Sequence, residues 1–210
     1  INEMSNLACD DGSLKLVVLH GAGGMGKTQI AVEYAHRFKA NYTSIFWIDG
    51  SRNHTASASI LEAVERLKRH YQINDLHDKP WFDYIRETLT RESDFLKTRS
   101  TRNGQEAFLD LLSRTRVHVL RETFLEWLSS DENCGWLMII DNVDDLESFD
   151  FRNWLPSTLC GSVVITTRRK DLAKYWHSIE IDTMTEEESM ILLRDSSSII
   201  LTPDTQGTHV

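Results

Sequence analysis

The 210 residues predict a doubly wound α/β domain, a mostly parallel five-stranded sheet flanked by helices. Three observations carry that expectation. Short runs of Leu, Val and Ile alternate with segments whose apolar residues recur at helical spacing. Most of these runs are continuously apolar, as in strands covered on both faces. Four of them end in polar residues or glycine, at His20 and Gly21, at Asp49, at Asp141, and at Thr167 with Arg168. Right-handed crossovers bring such ends to one edge of a parallel sheet, and ligands bind at that edge.

Each element follows from its local pattern. Leu14 to Leu19 reads as the first strand, and Gly21 to Gly26 as a loop. Ile30, Ala31, Tyr34, Ala35 and Phe38 then mark one face of a helix. Ser44 to Ile48 is a second strand, and Ile60, Leu61, Val64 and Leu67 give the second helix. The pattern loosens from Asp75 to Arg116, where a helix is expected around Trp81 to Phe95 and an exposed linker at Lys97 to Gln105. Val117, Leu120, Phe124, Trp127 and Leu128 restore a helical stripe ahead of the strand Trp136 to Ile140. Ser162 to Thr166 and Ser178 to Ile181 complete the strands. Thr185 with Glu188 is a capping box for a last helix through Leu193. The expected organisation is an N-terminal segment 1–13, a domain 14–194 with a possible insertion 75–116, and a disordered tail 195–210 mixing Ser, Thr, Gly and Pro.

Composition narrows the function. With 32 Asp and Glu against 23 Lys and Arg, the net charge of -9 gives no general attraction to nucleic acid or anionic membranes. Phosphate recognition, if present, has to be local. No apolar run approaches the ~20 residues needed to span a bilayer. Three cysteines, Cys9, Cys134 and Cys160, without CxxC or Cys/His spacing, argue against a disulfide framework or a structural zinc and suit a reducing cytoplasm. The chain opens on Ile1, which leaves room for preceding residues.

Gly21, Gly26, Lys27 and Thr28 fit G-x-x-x-x-G-K-[ST] between an expected strand and an expected helix. Glycines let the backbone curl so that successive N–H groups meet phosphate oxygens, helped by the positive end of the helix. Gly21, Gly23, Gly24, Met25, Gly26, Lys27, Thr28 and Gln29 are the candidate nucleotide-binding residues. The Lys27 ammonium would reach the β- and γ-phosphates, and the Thr28 hydroxyl would join a magnesium shell of hard oxygens. Asp141, closing an apolar strand, is the second candidate magnesium residue. Asn142 follows it, and an amide cannot take a proton from an attacking water. Asp144 and Asp145 lie close enough in sequence to compensate, but slow hydrolysis is the expectation.

The stretches GAGGMGKTQIA at Gly21 to Ala31, FWIDG at Phe46 to Gly50, WLMIIDNVDD at Trp136 to Asp145 and GSVVITTRR at Gly161 to Arg169 together resemble the NB-ARC class of signal-transducing P-loop ATPases. The variant is most similar to that of fungal NOD-like receptors, and IEIDTMTEEESMILL at Ile179 to Leu193 is similar to the segment after their sensor strand. The resemblance implies a P-loop NTPase fold and ATP or ADP bound with Mg2+. It also implies a switch that is closed with ADP and oligomerises with ATP. Arg168 would be the residue that reads the γ-phosphate, since a planar guanidinium donates two hydrogen bonds to phosphate oxygens. From the residues alone, Arg168 serves equally as half of a surface salt bridge. The family's Gly-Leu-Pro motif, winged-helix module and sensing His fall outside these residues, as expected of a piece of a longer receptor.

Other constellations are weaker. Eight histidines form no HxxxH or HExxH array and there is no G-x-S-x-G elbow, so surface or strand-end positions are expected for them. Trp47, Trp127 and Trp136 sit in apolar patterns that predict core packing rather than base stacking. Arg169 and Lys170 are expected at a solvated helix start. Two other functions share this reading: a small-molecule phosphotransferase or fast ATPase on the same core, and a truncated interaction module that binds no nucleotide.

Overall fold

The computed structural model describes residue 4 and residues 15–70, 118–157 and 160–197. The expected helix at Trp81 to Phe95, the linker and insertion around it, and nearly all of the N-terminal segment and the tail lie outside the described residues.

Five strands form one sheet: β1 Lys15–His20, β2 Ile45–Asp49, β3 Trp136–Asp141, β4 Gly161–Thr167 and β5 His177–Glu180. All pairs are parallel and the order is β2-β3-β4-β1-β5. Burial follows that order. Every residue of central β3 and β4 is buried, which is why they read as unbroken apolar runs.

Helices cover both faces. The first, α1 Lys27–Arg37, turns Ala31 and Tyr34 onto Val17, Leu19, Leu137, Ile139 and Val164. The opposite face of β1, β3 and β4, with Val18, Met138, Ile140 and Ile165, packs against α2 Asn53–His70 and against α3, whose described residues are 118–128. Phe46 meets Phe124 and Trp127 of α3 edge-on, with ring centroids 5.0 and 5.8 Å apart. The last helix, α4 Glu186–Ser197, starts with the predicted capping box: Glu188 N donates to the Thr185 hydroxyl at 3.2 Å and Thr185 N to the Glu188 carboxylate at 2.8 Å.

One core assignment is corrected. Trp127 and Trp136 are buried, but Trp47 stays 37% exposed on β2. As an edge strand β2 has only one face covered, so Phe46 and Ile48 point into the core while Ile45 and Trp47 do not. The apolar run Ser44 to Ile48 did not reveal which strand would lie at the edge.

Candidate functional site

The site assembles at the carboxyl ends of β1, β3 and β4. The chain leaves β1 through Gly21 at φ 154°, where a Cβ would stand 2.3 Å from the Ile181 carbonyl oxygen. Only glycine passes there. Gly24 and Gly26 hold φ of 79° and 81°, a left-handed region that side chains resist. Gly26 is the N-cap of α1 and no side chain caps the helix. Backbone N–H groups of residues 23–28 find no acceptor among the described residues, so the loop presents unpaired donors at the positive end of a helix.

Lys27, the first residue of α1, is buried and folds back over the loop. Its Nζ donates to the carbonyls of Gly21 at 2.9 Å and Ala22 at 2.6 Å. The ammonium thereby ties the start of the loop to the start of α1. Thr28 donates its hydroxyl to Asp141 Oδ1 at 2.8 Å, bridging 113 positions of sequence. Two hard oxygen donors thus stand side by side, a set that suits Mg2+.

Asp141 is buried and has two further partners. Thr166, on the neighbouring strand β4, also donates its hydroxyl to Oδ1, while accepting from Asn142 N at 3.0 Å. The Asn142 amide donates to Oδ2 at 3.2 Å. Asn142 itself holds φ 64°, the one described residue other than glycine with a positive φ. A short polar side chain tolerates that conformation best.

Neither acid after Asn142 is left idle. Asp144 accepts from Arg168 N at 2.7 Å through Oδ1 and pairs with Arg168 Nε at 3.1 Å through Oδ2. Asp145 accepts from the Ser148 hydroxyl at 2.5 Å and from the backbone N–H of Glu147. That hydroxyl, helped by the N–H groups of Glu147 and Ser148, holds the Asp145 carboxyl below the ordinary carboxylate range.

Arg168 begins the segment after β4, and its guanidinium lies over the phosphate loop. A Cβ placed on Gly23 would stand 3.3 Å from Arg168 Cζ and 3.5 Å from Nη1. Arg168 therefore makes a salt bridge and at the same time overhangs the loop. Arg169 and Lys170 instead pair outward, with Asp171 at 2.7 Å and Glu180 at 2.5 Å. Met25 and Gln29 belong to the same loop and first helical turn and have no partner that singles them out.

Sequence reasoning missed three members. Thr166 was read only as strand, and Asp144 only as a spare acid. His20 is 6% exposed, and its Nδ1 is the single buried side-chain nitrogen or oxygen without a hydrogen-bond partner among the described residues. The one available signal was the pair of hydroxyls in ITT before Arg168, polar residues inside an otherwise apolar buried strand.

Comparisons with known proteins found similarities of three kinds. A family model described as the NB-ARC domain matches residues 1–97, which take in the phosphate loop but stop short of Asp141 and Arg168. A nucleotide-binding leucine-rich repeat (NLR)-like protein of Hyaloscypha variabilis is 25% identical over 200 residues, covering 86% of this chain and 16% of that protein. The chain thus spans about a sixth of that relative's length. A solved STAND protein with a tetratricopeptide repeat sensor from Pyrococcus horikoshii aligns with TM-score 0.46 and 18% identity, over 94% of this chain and 25% of that one. No described helix is long and apolar enough to cross a membrane. Residues 1–97, which hold the first strand, the glycine-rich loop and α1, are thus similar to an NB-ARC domain, and the strands that carry Asp141 and Arg168 complete the parallel sheet around them.

Proposed function

We propose that this domain binds ATP and ADP with Mg2+ at the loop from Gly21 to Gln29 and works as a slow ATPase switch that controls self-association of the protein carrying it. The observation that supports this most is the Lys27, Thr28 and Asp141 constellation, an ammonium and two hard oxygens beside unpaired backbone donors. Thr28 and Asp141 would hold the magnesium ion, directly or through water. When bound, the ion neutralises charge on the β- and γ-phosphates.

Slow hydrolysis follows from the acids. A general base works best with a pKa near the operating pH. Asn142 offers an amide, Asp144 is bound to Arg168, and Asp145 is held below even the ordinary carboxylate range. The chain therefore binds and holds a triphosphate better than it cleaves it. Self-association and signalling in the reducing cytoplasm follow from the resemblance to NOD-like receptors and from the Hyaloscypha relative's description as nucleotide-binding.

Calorimetric titration of Mg-ATP and Mg-ADP into the wild type and Lys27→Ala tests the reading. Loss of the ammonium should weaken both nucleotides by roughly ten- to a hundredfold. Equal binding by the two proteins, or no binding by the folded wild type, refutes it.

A further inference from the structure

We infer that Asp144 is the positioning residue for Arg168, fixing its guanidinium over the phosphate loop so that the domain prefers a nucleoside triphosphate to a diphosphate. The inference rests on the nucleotide reading above and adds a residue to it.

Asp144 grips Arg168 at two places on one residue. Oδ1 takes the backbone N–H, which fixes where the side chain leaves the chain, and Oδ2 stands 3.1 Å from Nε as an ion pair, which draws the guanidinium toward the carboxylate. The Thr167 hydroxyl, which donates to the Val143 carbonyl, stands 3.5 Å from Oδ1. The ion pair of the guanidinium is at its inner nitrogen, Nε. Nη1 and Nη2 make no hydrogen bond among the described residues, although Nη1 overhangs Gly23. A guanidinium drawn to a carboxylate at its Nε side, with no hydrogen bond at its outer nitrogens among the described residues, can turn these to donate in parallel to two oxygens of one phosphate.

Position along the loop selects the phosphate. Lys27, on the buried side, ties Gly21 and Ala22, whereas Arg168 covers Gly23 from the exposed side, with two-thirds of its side chain open to solvent. An unrestrained arginine there would sample many rotamers, and fixing it at the moment of binding would cost affinity. Asp144 removes that cost in advance. It sits three residues after Asp141, across an Asn142 whose positive φ turns the chain back toward β4. The segment that supplies the magnesium carboxylate therefore also supplies the arginine's anchor.

The test separates this from a structural role. Affinities of Mg-ATP and Mg-ADP, with melting temperatures, are measured for wild type, Asp144→Asn, Asp144→Ala, Arg168→Ala and the double variant Asp144→Ala/Arg168→Ala. Asp144→Asn keeps an oxygen for the backbone N–H but presents no charge to Nε. It should hold the wild-type melting temperature while the ATP-over-ADP preference falls about tenfold, leaving ADP affinity unchanged. Arg168→Ala should lose the same preference, and the double variant should lose no more than either single change. Equal loss of ATP and ADP binding, a preference that survives in Asp144→Asn, a rise in ATP affinity showing Asp144 to be a competitor, or additive losses in the double variant would each overturn it. Failure of the nucleotide reading looks different: the wild type then binds neither nucleotide.

Discussion

The two ends of the sheet use glycine for opposite purposes. At the carboxyl end, Gly21, Gly24 and Gly26 have positive φ and leave a loop of unpaired donors open to a ligand. At the amino end, Gly161 opens β4 beneath Trp136, where an added Cβ would meet ring atoms at 2.2 to 2.4 Å. Trp136 is fully buried there and donates Nε1 to the Leu128 carbonyl at 2.9 Å. One set of glycines exists so that something can approach, the other so that a large ring can fill the space. A glycine in the sequence does not declare which it is.

Substitution distinguishes the two ends. Gly161→Ala should have the largest effect on stability, about 3 kcal/mol, since a buried ring with a fixed hydrogen bond cannot step aside. Chemical denaturation reads it, and nucleotide affinity of the folded fraction should not change; a wild-type denaturation midpoint would mean that β4 shifts to make room. At the other end, Gly23→Ala should leave stability nearly intact and weaken ATP more than ADP by several-fold, because the new methyl displaces the guanidinium above it. Equal weakening of both nucleotides would break the contrast and make Gly23 a purely conformational position.

Thr166→Val sharpens the same comparison within one strand. Removing a hydroxyl that Asp141 and Asn142 share should cost about 1–2 kcal/mol and weaken the magnesium dependence of nucleotide binding, whereas Ser162→Ala near the amino end of β4 should leave that dependence alone. Magnesium titrations at fixed ADP check it.

The smallest effect is on pH. Asp145 and Asp150 both lie below their ordinary range, the first through Ser148 and the second through Arg152. A carboxyl depressed in the folded state gives stability that is full above its unfolded value, about 4, and is lost as pH falls through the folded value. Acid melts should therefore steepen below about pH 4, and Asp145→Asn with Asp150→Asn should flatten that limb. An unchanged limb would place the acid sensitivity elsewhere.

Much of this was legible before any coordinates. Lys15–His20 and Trp136–Asp141 were readable because central parallel strands are apolar on both faces, and α1 because its buried residues recur at helical spacing. The loop from Gly21 to Thr28 was legible because its glycines, Lys27 and Thr28 lie close together in the chain. Trp47 was misread because β2 carries the apolar residues of a central strand at an edge position. His20 could not be seen as a buried histidine, since it lies between β4 and β5, which come far later in the sequence.

The sequence by itself determined the elements, their parallel alternation and the glycine-rich loop before α1, because each depends on neighbours within a turn or a strand. Tertiary structure decided that β4 lies between β1 and β3. That order puts Thr166 beside Asp141 and starts Arg168 within reach of both Gly23 and Asp144. These contacts join residues 24 to 145 positions apart, and strand order follows from how helices pack over the whole sheet, so no local pattern encodes it.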